Sequence, residues 1–483
     1  MKDESDLRPY QKLMIEHVIH TPKCALFAGM GLGKTVAVLT ALDRMKFAGM
    51  LEKPVLIVAP LRVARDVWPN EVKEWSHLYD FRVMPMLGTP TQRQDAFRVP
   101  ADAYVINFEC LEWLIKTWNV HWPYGMVVVD ESTKLKSLRA NIRENAQGTK
   151  WVQGDGGKRA KALLKATYEF GTERFVELSG TPAPNGLQDL WGQIFFLDHG
   201  KRLGRVYDAF NTRWFRSSFD GFGYEPLPHA QEQIESAIKD VCLSLRSEDW
   251  FDLDKPIVRK IHIDLPLDAR KQYRELEKKF YTEIQQTPIE AFNAGSKTAK
   301  LRQLVAGAAY TGHADDPGER KWVRVHDEKL KALEEIVEEA AGAPVLVAYH
   351  FRSDLERLLK HFPQGRHLDQ KSQTIKDWNA GKIPVLFSHP ASAGHGLNLQ
   401  VGGNILVYFS CDFNAESHWQ ILERIGPVRQ AQSGLKRSVF VYYIVGRSTI
   451  DEDVLDNLEN KVAVNDALMN GLRRRVENAS RSI

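Results

Sequence analysis

Cysteine is scarce in this chain. There are four in 483 residues, Cys24, Cys110, Cys242 and Cys411, with no C-x-x-C pair among them. That spacing excludes a disulfide framework and the usual zinc-ligand patterns, and it leaves the thiols as small buried hydrophobes in a reducing compartment. Long apolar runs are also missing. No stretch approaches the roughly 18 consecutive apolar residues of a membrane span, and Met1-Lys2-Asp3-Glu4-Ser5-Asp6 is too acidic and polar for a signal peptide. The expected compartment is therefore the cytosol, with no membrane partner. Charge of one sign is not in excess either: 65 basic against 62 acidic residues leave +3, so a basic groove has to be sought locally. Fixed-period repeats and low-complexity tracts are absent. The remainder is ordinary for a folded protein, 43% hydrophobic and 26% charged. A chain of this length is too long for one core and suits two lobes.

Short β-branched runs recur in the first half: Val55-Leu56-Ile57-Val58, Tyr104-Val105-Ile106, Met126-Val127-Val128-Val129 and Phe175-Val176-Glu177-Leu178. Helix-compatible polar sequence separates them, which is the pattern of a parallel sheet covered by helices. A second set follows in Val345 to Tyr349, Val385 to Phe387, Ile405 to Tyr408 and Phe440 to Ile444. Between about Leu187 and Ala341 the strand signals thin out, and Ala269 to Gln285 and Lys329 to Ala340 carry helical spacing. The expectation is α/β throughout: two RecA-like lobes, parallel sheets flanked by helices, with helical insertions between them. The first lobe is expected over 1–255, with its insertion after about 187, and the second over 256–483 behind a helical connector.

The chemistry begins at Ala28-Gly29-Met30-Gly31-Leu32-Gly33-Lys34-Thr35, which follows the apolar Cys24-Ala25-Leu26-Phe27 and precedes a good helix, Val36 to Met45. Strand, glycine loop and helix make a phosphate cradle. The loop from Gly29 through Met30, Gly31, Leu32 and Gly33 turns backbone N–H groups toward phosphates, Lys34 reaches the β and γ phosphates, and the Thr35 hydroxyl ligates Mg²⁺. Ala28 stands where the strict P-loop pattern has Gly. The second piece is Val127-Val128-Val129-Asp130-Glu131, an apolar strand ending in two carboxylates. Asp130 is expected to hold Mg²⁺ opposite Thr35, and Glu131 to orient and deprotonate the attacking water.

Those parts are shared with P-loop kinases and GTPases, so the remaining motifs discriminate. Leu7-Arg8-Pro9-Tyr10-Gln11, Val58-Ala59-Pro60, Asp130-Glu131-Ser132-Thr133 and Leu178-Ser179-Gly180-Thr181-Pro182 follow one another in the first half; Val345-Leu346-Val347 with Phe351, Ser392 to Gln400, and Gln420-Ile421-Leu422-Glu423-Arg424 follow in the second. In kind and order they resemble the SNF2-like helicase and translocase family from Leu7 to about Leu468, most of all the compact forms carried by bacteriophages and prophages. The resemblance implies an ATP- and Mg²⁺-using motor on double-stranded DNA, working as a monomer in the cytosol of a bacterium or a phage-infected host. It implies that Gln11 reads adenine, and that Ser179, Thr181, Gly394, Gly396 and Gln420 couple nucleotide state to DNA contact. Gln420 and Arg424 lie four apart, on one helical face.

Two departures stand out. Thr133 occupies the fourth place of the acid motif, where the family has His. Pro427 occupies the place of a second arginine, so the arginine that meets the γ-phosphate is Arg424 or, from a loop behind the helix-breaking proline, Arg429. DNA contact is expected from a basic loop over Arg139 to Lys165, above all Lys150, Lys158, Arg159 and Lys161. Two other readings remain open: a strand-separating DNA or RNA helicase, and a nucleic-acid-binding scaffold with a decayed ATPase.

Overall fold

The computed structural model describes residues 1–118, 121–144, 150–169, 171–217, 224–251, 254–279, 281–284, 287–291, 294–311, 321–369, 372–393 and 397–473. They form two compact units, Met1–Trp250 with Lys461–Ile483, and Phe251–Asn460.

The first unit is built on a seven-stranded sheet. Its order is Cys242–Leu245, Lys23–Ala28, Arg174–Ser179, Met126–Asp130, Val55–Ala59, Ala103–Asn107 and Val83–Pro85, every neighbouring pair parallel. The strands Lys23–Ala28, Arg174–Ser179, Met126–Asp130 and Val55–Ala59 are buried along nearly their whole length, as strands covered on both faces by helices are. One large core joins Phe27, Val127, Val129 and Phe175 of the sheet to Trp191, Ile194 and Phe195 of the Asp189–Asp198 helix.

The second unit repeats the plan with six parallel strands, in the order Ile257–Ile263, Phe440–Gly446, Ile405–Tyr408, Val345–Ala348, Val385–Ser388 and Arg366–His367. Separate apolar clusters fill its two faces, one around Val345, Val347 and Phe387, the other around Leu346, Leu406 and Trp378. The expected pair of RecA-like α/β lobes is therefore present.

Three expectations change. The stretch from Leu187 to Ala341 is not only helical, since it supplies a strand to each sheet, Cys242–Leu245 and Ile257–Ile263. Both are edge strands; Cys242–Leu245 is short, and Ile257–Ile263 is exposed over most of its length, so neither shows the apolar run of a central strand. The helix expected over Ala269 to Gln285 ends at Lys279, and Tyr281–Ile284 pairs with Thr287–Glu290 instead. Finally, Lys461–Ile483 groups with the first unit, not with residues 256–460. The physical reason is an apolar stripe, Leu468, Met469 and Leu472, that joins the core of Ile234 and Ile238. A hydrogen bond from the Ser244 hydroxyl to the Met469 carbonyl, 2.9 Å, adds to it.

Candidate active site

In a parallel sheet the carboxyl ends of all strands emerge on one edge, and ligands bind outside them. Three adjacent strands of the first unit end there in the glycine loop after Ala28, in Ser179-Gly180-Thr181, and in Asp130-Glu131. Sheet order thus brings together motifs separated by over a hundred residues of sequence.

The glycine loop begins from a hydrogen bond between Gly29 N–H and the Leu245 carbonyl, 3.0 Å. Gly31 and Gly33 take left-handed φ values of 83° and 71°, which only glycine adopts without strain. The loop then enters the Lys34–Phe47 helix with Gly33 as its N-cap and no side-chain cap, and the free N–H groups of a helix start suit an anion. A side chain at Gly33 would also lie 2.2 Å from the Gln11 Nε2. Gln11 is buried, accepts from the Arg8 N–H at 2.8 Å, and so stands directly against the cradle. On the other side Gly180 packs on Met30, where an added Cβ would sit 3.0 Å from its Cγ. The Lys34 ammonium donates to the carbonyls of Ala28, 2.7 Å, and Gly29, 3.3 Å. Thr35 is half-buried in the first turn of the helix.

Burial raises the pKa of Asp130, while the Lys34 charge and a hydrogen bond from the Trp68 indole, 3.0 Å, pull it down. Glu131 next to it has φ 65°, a left-handed backbone that a non-glycine residue adopts only where its surroundings impose it. Ser132 and Thr133 are fully buried in the turn that follows. The Ser179 hydroxyl accepts from the Thr181 N–H at 3.1 Å, closing the turn, and the buried Thr181 hydroxyl has no partner among the described residues.

In the second unit Gln420 and Arg424 are both buried on the Ala415–Ile425 helix, 3% and 5% exposed. Arg429 departs from expectation. Pro427 does not lead into a loop; it opens a new helix, Pro427–Gln432, as its first residue, where the missing N–H costs nothing. From that helix Arg429 donates to the Asn398 side chain at 2.7 Å. Gly394 and Gly396 lie outside the described residues.

The basic segment is not a loop either. Leu138–Glu144 and Lys150–Gly156 pair as an antiparallel hairpin, followed by the Lys158–Glu169 helix. Lys158 is exposed, Arg159 pairs with Glu109 at 3.2 Å, and Lys161 donates to the Gly154 carbonyl at 3.1 Å. Lys150 opens the second strand of the hairpin, and its side chain lies outside the described residues.

Sequence reasoning missed four residues of this site: Trp68 on Asp130; Gln193, which meets Ser132; Ser247, whose hydroxyl would lie 2.6 Å from a Cβ at Gly29; and Trp250, with its ring 5.4 Å from Tyr10. None sits in a run that signals chemistry by itself.

Fold and site together define a helicase-like P-loop protein with two RecA-like units. A family model described as the SNF2-related domain matches residues 10–150. "Putative protein p41" of Acyrthosiphon pisum secondary endosymbiont phage 1 is 47% identical over 97% of this chain and 99% of its own length. The chain belongs to the SNF2-related family. The ISWI chromatin-remodeling complex ATPase ISW1 of Saccharomyces cerevisiae is 22% identical over 94% of this chain, which spans 40% of that protein. A solved structure, the Sulfolobus solfataricus SWI2/SNF2 ATPase core in complex with dsDNA, is 20% identical with a TM-score of 0.42, covering 99% of this chain and 96% of that one. Among the described residues no helix is long and apolar enough to cross a membrane.

Proposed function

We propose that this chain hydrolyses ATP with Mg²⁺ and uses the energy to move along double-stranded DNA. The observation that carries the reading is the meeting of the glycine loop, Asp130-Glu131 and Ser179-Thr181 at the carboxyl ends of three adjacent strands, with the Lys34 charge felt at Asp130. Carboxylate and hydroxyl oxygens are the donors magnesium takes, so Asp130 and Thr35 fit it. Bound there, Mg²⁺ would neutralise charge on the phosphates.

The remaining work falls to the chain. Backbone N–H groups of Gly29 to Gly33 hold phosphate oxygens, Lys34 exchanges its carbonyl partners for phosphate, and Gln11 reads the base edge. Glu131 takes the proton of the attacking water. Arg424 or Arg429 contributes positive charge as the γ-phosphate leaves. Ser179, Thr181 and Gln420, with Gly394 and Gly396, pass the nucleotide state to the DNA contacts. Lys150, Lys158, Arg159 and Lys161 bind DNA phosphates without reading sequence. A monomer in the cytosol suffices for all of this.

The test is ATP hydrolysis measured without nucleic acid and with single-stranded DNA, duplex DNA and RNA, together with displacement of a triplex strand. Greatest stimulation by duplex, with triplex displaced and a plain forked duplex left intact, supports translocation. Efficient separation of the fork would replace it with a strand-separating helicase.

A further inference from the structure

Trp68 is 0% exposed, yet its indole nitrogen reaches a carboxylate oxygen of Asp130 at 3.0 Å. Asp130 ends the Met126–Asp130 strand, and Trp68 lies in the segment that follows the neighbouring strand, Val55–Ala59; the two strands pair in parallel with Val58 opposite Val129. Beyond Ala59 the chain makes a π-helical turn, Val63–Val67, before the Trp68–Glu74 helix. A π turn holds one residue more than an α turn, so it rotates all that follows by about 100°. Such turns are uncommon and concentrate at functional sites. Here the turn delivers a large indole to the end of the next strand, behind the carboxylate.

The indole N–H can only donate. It therefore engages one carboxylate oxygen, holds the carboxylate plane in one orientation, and cannot itself ligate a cation. Partners of this kind behind a metal-binding carboxylate set its orientation, and their loss costs metal affinity roughly 10- to 100-fold.

We propose that Trp68 is a positioning residue for Asp130, orienting its carboxylate for the magnesium that accompanies ATP. The inference rests on the reading of Asp130 as the metal carboxylate given above. Trp68 does not touch the nucleotide, and its contribution appears in the metal term alone.

The experiment measures binding, not turnover. Affinity of the full chain for a non-hydrolysable ATP analogue is determined by calorimetry with Mg²⁺ and with EDTA, and the ratio of the two is the enhancement due to metal. For Trp68→Phe, which keeps an aromatic ring and removes the N–H, the affinity in EDTA stays at the native value and the enhancement shrinks by about tenfold. Site-specific replacement of Trp68 by β-(3-benzothienyl)alanine, a ring of nearly the same volume without the N–H, gives the same result and serves if the phenylalanine variant fails to fold. Asp130→Ala is run alongside. If it loses the enhancement while both position-68 variants keep the native value, Trp68 only fills the core and the inference falls. If Asp130→Ala itself keeps the enhancement, the metal reading falls and takes the inference with it.

Discussion

The Ser132 hydroxyl donates to the Gln193 side-chain carbonyl at 2.8 Å, with both residues fully buried. The amide nitrogen of Gln193 donates in turn to the Pro182 carbonyl at 2.8 Å and to the Asp189 carbonyl at 2.9 Å. One side chain thus ties the acid motif to the Ser179–Pro182 segment. It reaches both because Gly192, beside it, lets the helix lie close: a Cβ there would stand 2.6 Å from the Leu135 carbonyl. Gln193→Leu leaves the Ser132 hydroxyl and the Pro182 carbonyl buried without this partner, at a cost of about 1–3 kcal/mol each. Urea unfolding is expected to show that loss, and ATPase activity to fall at temperatures where the variant is still folded. Unchanged stability would mean that the network is dispensable.

Lys34→Ala and Glu131→Gln are both expected to abolish turnover and to differ in binding. In the roles proposed above Lys34 supplies charge to bound phosphates and Glu131 acts on water, so only the glutamine variant is expected to keep native ATP affinity. Equilibrium binding of a fluorescent ATP analogue distinguishes them, and equal loss in both contradicts the assigned roles.

Arg424 and Arg429 are the two arginines proposed above for the γ-phosphate. Arg424 is 5% exposed and Arg429 is half-buried. The more accessible guanidinium is the better able to reach a phosphate, so Arg429→Ala is expected to lower kcat by ~10³-fold or more while ATP still binds. Single-turnover hydrolysis of both alanine variants settles the order; a larger chemical defect in Arg424→Ala reverses it.

Glu177 lies in the middle of the first sheet, register-paired with Ala25 and Val129, and neither carboxylate oxygen has a hydrogen-bond partner among the described residues. Burial pushes its pKa well above the ordinary carboxylate value of 4.5. The folded state therefore binds a proton that the unfolded chain has released. Stability from this group is complete below about pH 4.5 and declines by about 1.4 kcal/mol per pH unit as pH rises toward the folded value. Glu177→Met removes the dependence, so urea midpoints compared between pH 5 and pH 8 should converge on a flatter line and lie above native at the alkaline end. A variant less stable than native at pH 8 would show that the carboxyl group is held in a way burial alone does not describe.

The cations of the hairpin and helix make a simpler test. The Arg159 pair with Glu109 joins two half-exposed side chains, 52% and 54%, and such a pair contributes at most about 1 kcal/mol. It yields readily to a phosphate. Joint replacement of Lys150, Lys158, Arg159 and Lys161 by Ala is expected to weaken DNA binding equally across sequences and to lower the log–log salt slope by roughly 0.9 per lost contact. Basal hydrolysis without DNA stays near native, because none of the four belongs to the phosphate cradle. An unaltered slope would make this surface an ordinary solvated one.

What the sequence determined by itself were the parts whose chemistry is contiguous. The central strands read as apolar runs because both faces of the sheet are covered, as at Met126–Asp130, and the glycine loop and acid pair announce themselves because backbone freedom and adjacent charges need no distant partner. Edge strands escaped, since Ile257–Ile263 is exposed over most of its length and carries no apolar run. The basic loop was misread for a related reason: Leu138–Glu144 becomes a strand only by pairing with Lys150–Gly156, through hydrogen bonds that side-chain pattern does not specify. Only the tertiary structure decided who stands behind the motifs. Trp68 meets Asp130 across 62 positions and Ser132 meets Gln193 across 61, contacts that depend on sheet order, a π turn and one glycine's close approach. The same holds for Leu468, Met469 and Leu472, whose stripe joins the first unit's core because that core has an apolar surface for it, which periodicity alone does not reveal.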